Sequence, residues 1–146
     1  MQHIDSVSVP PVGAVYRCAI PLRWGDLDAL NHVNNTVYFR YFEEARVQMM
    51  ANAGVAVSPD KMCVLAHASC DFLKPLHYPA VAIVSQVLHR LGRSSLEMEV
   101  RLEREDEPGV LYAKGRYVLV YADSASGKSL PWSATELAAL AAILKA

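Results

Sequence analysis

The sequence predicts an α+β domain: a curled antiparallel sheet of about five strands around one long central helix. Three observations predict it. The segment 36–53 is apolar at helical spacing over most of its girth. Five other runs alternate with a period of two. The runs between 80 and 121 are joined by turns too short for a parallel crossover, which makes them antiparallel neighbours. One sheet must then cover one long apolar helix. The 146 residues suit a single domain spanning 1–146. A chain of that size buries roughly 70% of its unfolded surface and needs no metal or disulfide to hold a core.

Taken in order, residues 1–13 carry Pro10, Pro11 and Gly13 and read as a loose arm. In 16–24 the even positions Tyr16, Cys18, Ile20, Leu22 and Trp24 form one face of a half-buried strand. Residues 25–35 form a loop of Asp and Asn. The helix follows at 36–53, with Tyr38, Tyr41, Phe42, Ala45 and Met49 on one face and Arg40, Glu43, Glu44 and Gln48 on the other. Asn34 or Asn35 caps its start and Gly54 closes its end. Phe39, Val47 and Met50 extend the apolar girth, so the helix is expected to be enclosed on several sides. Strands are expected at 62–73, 80–90, 96–104 and 110–121, bounded by Pro75–Pro79, Leu91–Arg93 and Pro108–Gly109. A last helix over 133–145 starts with Ser133 as cap and Glu136 three residues on, a capping box.

Composition narrows the function. Hydrophobic residues make up 53% and charged residues 20%, and the net charge is −1 with no basic run. Nucleic acid and anionic membrane are therefore not expected partners. The N-terminus lacks a basic start and an apolar core, so it does not read as a signal peptide. No stretch approaches the ~18 apolar residues of a membrane span. Cys18, Cys63 and Cys70 are odd in number and show no CxxC spacing, which argues against a disulfide framework or a zinc site. They read as reduced core thiols of a cytoplasmic protein, with no metal.

Residues 23–39, RWGDLDALNHVNNTVYF, gather Asp26, Asp28, His32 and three asparagines just before the helix. The first N–H groups of a helix have no partner within it, and the macrodipole adds positive charge there. A carbonyl held at such an end, with a carboxylate beside it, is set for acyl transfer. The structural alternative is that the Asp and Asn side chains are caps and turn formers. Glu43 and Glu44 alternatively pair with Arg40 on the solvated face.

The segment RWGDLDALNHVNNTVYFRYFEEAR resembles the active-site segment of hotdog-fold acyl-CoA thioesterases of the 4-hydroxybenzoyl-CoA thioesterase group. Their pattern is an Asp-x-Asp loop, a short link, and a helix with a Tyr and a Glu-x-Ala-Arg-like end. HVNN is also similar to plant acyl-acyl carrier protein thioesterases. The segment 71–102 resembles the same group through its Phe-x-x-Pro entry, long strand, and basic, serine-containing turn. The resemblance implies a hotdog fold and hydrolysis of acyl-CoA to free acid and coenzyme A. It gives Asp28 the role of general base or nucleophile and gives the Asn35 backbone N–H the role of oxyanion donor. His32 matches a histidine of the plant enzymes and would orient water or tune Asp28. Glu44 falls where those enzymes carry a helix glutamate, whereas the bacterial pattern points to Glu43. Leu30 departs from the plant pattern, which has Asn there.

In the same reading Arg90, Arg93, Ser94 and Ser95 hold the phosphates of coenzyme A, or form an ordinary hairpin turn. Lys74 and His77 face a phosphate or water. Tyr38, His67 and Ser69 line the acyl pocket, with strand-face hydrogen bonding as the alternative for the latter two. No cofactor is implied, since coenzyme A is part of the substrate. A homodimer, or a dimer of dimers, is expected. A hotdog dehydratase or hydratase of hydroxyacyl thioesters and a non-enzymatic acyl-thioester-binding module are the rival readings. The acyl group, and coenzyme A against carrier protein, stay open.

Overall fold

Five period-two runs give five strands, and two helical runs give two helices. The computed structural model describes residues 8–55 and 59–145. Its elements are β1 (Val15–Pro21), α1 (Asn35–Ala53), β2 (Lys61–Phe72), β3 (Val81–Leu91), β4 (Ser95–Arg104), β5 (Leu111–Asp123) and α2 (Ala134–Ile143). A 3₁₀ turn, Trp24–Asp26, precedes α1. The strand order is β1-β3-β4-β5-β2, and every pairing is antiparallel. Of the arm expected over 1–13, residues 1–7 lie outside the described residues. Pro10 is buried, and the Gly13 N–H donates to the Leu88 carbonyl at 2.8 Å.

The expectation of a sheet curled around one long central helix is corrected. The sheet is open, with β1 and β2 as its two edges. Two helices accompany it: α1 lies against β1, β2 and β3, and α2 packs on α1. α1 buries one side only, through Val37, Tyr38, Tyr41, Phe42, Ala45, Met49 and Met50. Phe39 and Val47, which made the helix look apolar all round, are 38% and 59% exposed. Periodicity reports which side chains share a face. It carries no information on whether the two edges of a sheet meet.

The helix ends follow local chemistry. The Asn34 Oδ1 accepts from the Thr36 N–H at 2.9 Å, and Gly54 closes the helix at φ +73°, where a side chain would be strained. Ser133 and Glu136 form the reciprocal capping box of α2 at 3.1 and 2.8 Å. Replacing Asn34 by Ala is expected to cost about 1 kcal/mol. A denaturant melt would read this as a lower midpoint with an unchanged slope; an unchanged midpoint would contradict the cap's contribution.

The edge strand β2 departs from the expected period-two alternation. A bulge between Leu65 and His67 shifts its register against β5. Most of it is exposed, with Val64 and Leu65 each at 41% and Phe72 at 40%. β1 also ends early. Cys18, Ile20 and Leu22 are buried as expected, but Trp24 turns outward in the 3₁₀ turn and is 75% exposed. The core proper is the β3–β4–β5 meander, where Val84, Leu88, Leu96, Met98 and Leu102 are buried beneath the helices.

Candidate active site

The loop before α1 is fixed at several points. The Asn34 N–H donates to the Asp26 carbonyl at 3.1 Å and the Val33 N–H to the Leu76 carbonyl at 2.8 Å. The 28–32 turn closes on itself: the Asp28 N–H donates to the His32 carbonyl and the Asn31 N–H to the Asp28 carbonyl, both at 3.0 Å. Asn31 takes the left-handed conformation, φ +64°, that Asn tolerates better than most residues.

The two carboxylates of the Asp-x-Asp element have different surroundings. Asp26 is buried, at 8% exposure. Its Oδ2 accepts from the Tyr41 hydroxyl at 2.7 Å and from the Arg23 N–H at 3.0 Å. Burial, and then the adjacent Asp26 carboxylate, push the Tyr41 hydroxyl far above the ordinary tyrosine range, so it stays a donor. Asp26 therefore pins the loop to the helix. Asp28 is half-buried. Its Oδ1 accepts from the Leu30 N–H at 2.8 Å, and its Oδ2 lies 3.4 Å from the Asn34 Nδ2. Asn34 thus touches both the helix start and Asp28.

At the first turn of α1, the Thr36 N–H is taken by the Asn34 side chain and the Val37 N–H by the Asn34 carbonyl. Among the described residues the Asn35 N–H has no acceptor. Asn35 lines a cleft of about 180 Å³ with His32, Tyr38, Phe72, Leu73 and Lys74. Tyr38 is buried at its wall, edge-on to Phe72 at 5.1 Å, and burial pushes its hydroxyl up to about 12. The His32 Nδ1 lies 3.5 Å from the Val33 carbonyl, and its ring meets His77 edge-to-face at 6.2 Å. The His77 Nδ1 lies 3.3 Å from the Asn31 carbonyl. Lys74 sits over the Tyr112 ring.

The other sequence-predicted residues lie elsewhere. Glu43 and Glu44 are exposed and line a separate cleft of about 400 Å³ with Arg23, Asp26, Arg40 and Tyr41. Glu43 approaches Arg46 at 3.8 Å instead of the anticipated Arg40. His67 is exposed on β2, and Ser69 lines a third cavity with Arg46. The Arg90–Ser95 turn joins β3 to β4. Its backbone is held by the Tyr121 N–H on the Ser94 carbonyl and the Trp132 Nε1 on the Ser95 carbonyl, while Arg90 and Arg93 are exposed. It lies at the far end of β3 from the Leu76–Val81 segment, roughly 30 Å along an eleven-residue strand. One chain therefore does not bring this turn to the Asn35 cleft.

Sequence reasoning passed over three buried polar contacts. These are Asp26 with Tyr41, Arg46 over the Tyr117 ring at 5.2 Å, and the Tyr117 hydroxyl donating to the Gln86 Oε1 at 2.6 Å. Their partners are 15, 71 and 31 residues apart, so no local pattern announces them. Among the described residues, no three His, Cys, Asp or Glu side chains converge as a metal site, and no helix is long and apolar enough to cross a membrane.

The cysteines show no activation. Burial pushes the Cys63 and Cys70 thiols up to about 11. At pH 8 each is expected to alkylate about a hundredfold more slowly than free cysteine, because the thiolate is the reacting form. Iodoacetamide labelling followed by mass spectrometry checks this; labelling at the free-cysteine rate would contradict it.

Known proteins resemble this chain in sequence and in fold. Over 85% of this chain and 96% of the other, the PA2801 protein of Pseudomonas aeruginosa, described as a candidate thioesterase, is 38% identical with a TM-score of 0.81. A candidate acyl-CoA thioesterase from Xanthomonas campestris is also 38% identical, with a TM-score of 0.69 over 78% of this chain and 98% of that one. The 1,4-dihydroxy-2-naphthoyl-CoA thioesterase Slr0204 of Synechocystis shares the fold, with a TM-score of 0.78 at 17% identity over 86% and 95% of the two chains. Residues 22–141, which hold the loop, α1 and all of β2 to β5, match the thioesterase-like superfamily, and the chain belongs to that family.

Proposed function

We propose that this protein hydrolyses acyl-CoA thioesters to the free acid and coenzyme A, with its reaction centre at the start of α1. The observation that carries the reading is the unclaimed N–H of Asn35, a residue that lines a cleft, while Asn34 holds the Asp28 carboxylate at the same helix end. In the proposed arrangement the thioester oxygen accepts from the Asn35 N–H. The negative charge that grows on it in the transition state meets the partial positive charge of the helix end. Asp28 takes a proton from water as general base, or attacks the carbonyl carbon itself to form an anhydride that water then opens. His32 lines the same cleft and orients the water. The thiolate leaves without help from a metal. Glu44, on the separate cleft, has no contact with the carbonyl in this arrangement.

Coenzyme A extends out of the cleft past Lys74. If the Arg90–Ser95 turn grips its phosphates, it does so from a second copy of the chain. The twelve-residue β2 edge, with Val64, Leu65 and Phe72 exposed, supplies a pairing surface for such a copy. Thiol release from short-chain, aromatic and long-chain acyl-CoAs, followed with a thiol-reactive dye, tests the activity. Turnover of at least one class above background is expected; background rates with all of them would overturn it.

A further inference from the structure

Three cavities follow one another along the seam between α1 and β2. The first is the Asn35 cleft. The second, about 280 Å³, lies between Phe39, Phe42 and Arg46 on the helix and Leu65 and Ser69 on the strand. The third, about 260 Å³, lies beyond Arg46 and is walled by apolar side chains and Cys63. Phe72 walls the first and Phe39 the second, and their rings touch edge-on at 6.3 Å. A chain leaving the Asn35 cleft along the helix therefore passes aromatic walls and meets Arg46.

Arg46 is out of place as a mere core residue. It is only 9% exposed. Among the described residues its guanidinium has no hydrogen-bond acceptor. The Glu43 carboxylate, at 3.8 Å, is beyond hydrogen-bond reach and is itself 65% exposed. The Tyr117 ring lies beneath the guanidinium, but its hydroxyl is committed to Gln86. A guanidinium carries five donors, and those of Arg46 keep some contact with solvent, since among the described residues only the Gln86 Nε2 is a fully buried side-chain polar atom without a partner. The same cavity is lined by Arg40 and Arg116 against the single carboxylate of Glu43, and Arg116 is already paired with Glu97 at 3.1 Å. The cavity has more positive than negative side chains on its walls.

We propose that Arg46 is the distal anchor of the acyl site and selects acyl groups that end in a carboxylate. This rests on the reading that the thioester carbonyl sits at Asn35. Arg46 lies about three turns, or ~16 Å of axial rise, along the helix from Asn35, and its side chain leans back toward the helix start. The gap suits an acyl group of medium length. The far carboxylate takes the guanidinium in a two-bond fork. An uncharged acyl chain of the same length desolvates the guanidinium and returns nothing for it.

The test compares adipyl-CoA with hexanoyl-CoA, and suberyl-CoA with octanoyl-CoA. Binding is measured by calorimetry on the Asp28→Asn protein, so that it does not depend on turnover. The carboxylate-ended member of at least one pair is expected to bind at least tenfold more tightly. Adding Arg46→Met is expected to reduce that preference to under twofold, and Arg46→Lys to keep part of it. The preference is a ratio within one protein preparation, so a partly unfolded fraction cancels. Melting curves identify a variant that has not folded, and the Lys variant then carries the comparison. No preference in either pair, or a preference untouched by Arg46→Met, overturns the proposal. Turnover of hexanoyl-CoA without any preference removes the anchor and leaves the thioesterase reading standing. A preference without turnover of any thioester by the wild type does the reverse.

Discussion

Asp28→Asn is expected to lower kcat/KM for thiol release by roughly 10²–10⁴-fold, the usual contribution of a positioned general base. The substitution keeps the shape of the side chain and its amide oxygen, so the Leu30 N–H retains an acceptor. What is lost is the capacity to take a proton or to attack a carbonyl. Asp28 is half-buried and makes no buried hydrogen bond, so the unfolding free energy is expected to change by less than about 1 kcal/mol. The measurement is steady-state thiol release alongside a thermal melt of the same preparation. A variant within threefold of wild type would remove Asp28 from the chemistry. A large loss of both rate and stability would show that it acts through folding.

The second large effect belongs to the other carboxylate. Asp26→Ala leaves the buried Tyr41 hydroxyl and the Arg23 N–H without their acceptor. Each orphaned donor carries the desolvation penalty of an unmade bond, and the loss is expected to be about 3 kcal/mol. For a chain of this size that lowers the melting midpoint by roughly 6–12 °C. Tyr41→Phe removes one of the two donors and is expected to cost about 1–3 kcal/mol. The paired experiment separates the roles two residues apart: Asp26→Ala moves stability first, and Asp28→Asn moves rate first. Equal stability losses from the two substitutions would contradict the assignment of Asp26 as the pin.

The contrast also shows where sequence reasoning reaches its limit. Asn34, Gly54, Ser133 and Glu136 act on neighbours within a few residues, so their capping is legible in the chain. The meander of β3, β4 and β5 is legible for the same reason, because short turns force antiparallel neighbours. The roles of Asp26 and Asp28 are not. Both are acidic residues in an Asn-rich loop, and only the folded chain places Tyr41 against one of them. Arg46 reads as part of a motif. Its burial, and the missing acceptor, depend on Tyr117, which arrives on β5 from 71 positions away. The open sheet escapes detection because alternation assigns faces and not edges. The bulge after Leu65 escapes because one extra residue reverses the alternation beyond it. The Arg90–Ser95 turn and the helix start look like parts of one site in the sequence. Roughly 30 Å of β3 separates them in the chain.

The central claim concerns where the thioester carbonyl binds, and a crystal structure of the Asp28→Asn protein with an uncleavable acyl-CoA analogue, its sulfur replaced by a methylene group, tests it most directly. The account predicts the carbonyl oxygen about 3 Å from the Asn35 backbone nitrogen, with residue 28 at the same carbonyl and the acyl chain running along α1 toward Arg46. A carbonyl bound away from the start of α1, with the Asn35 N–H facing only water, would contradict it.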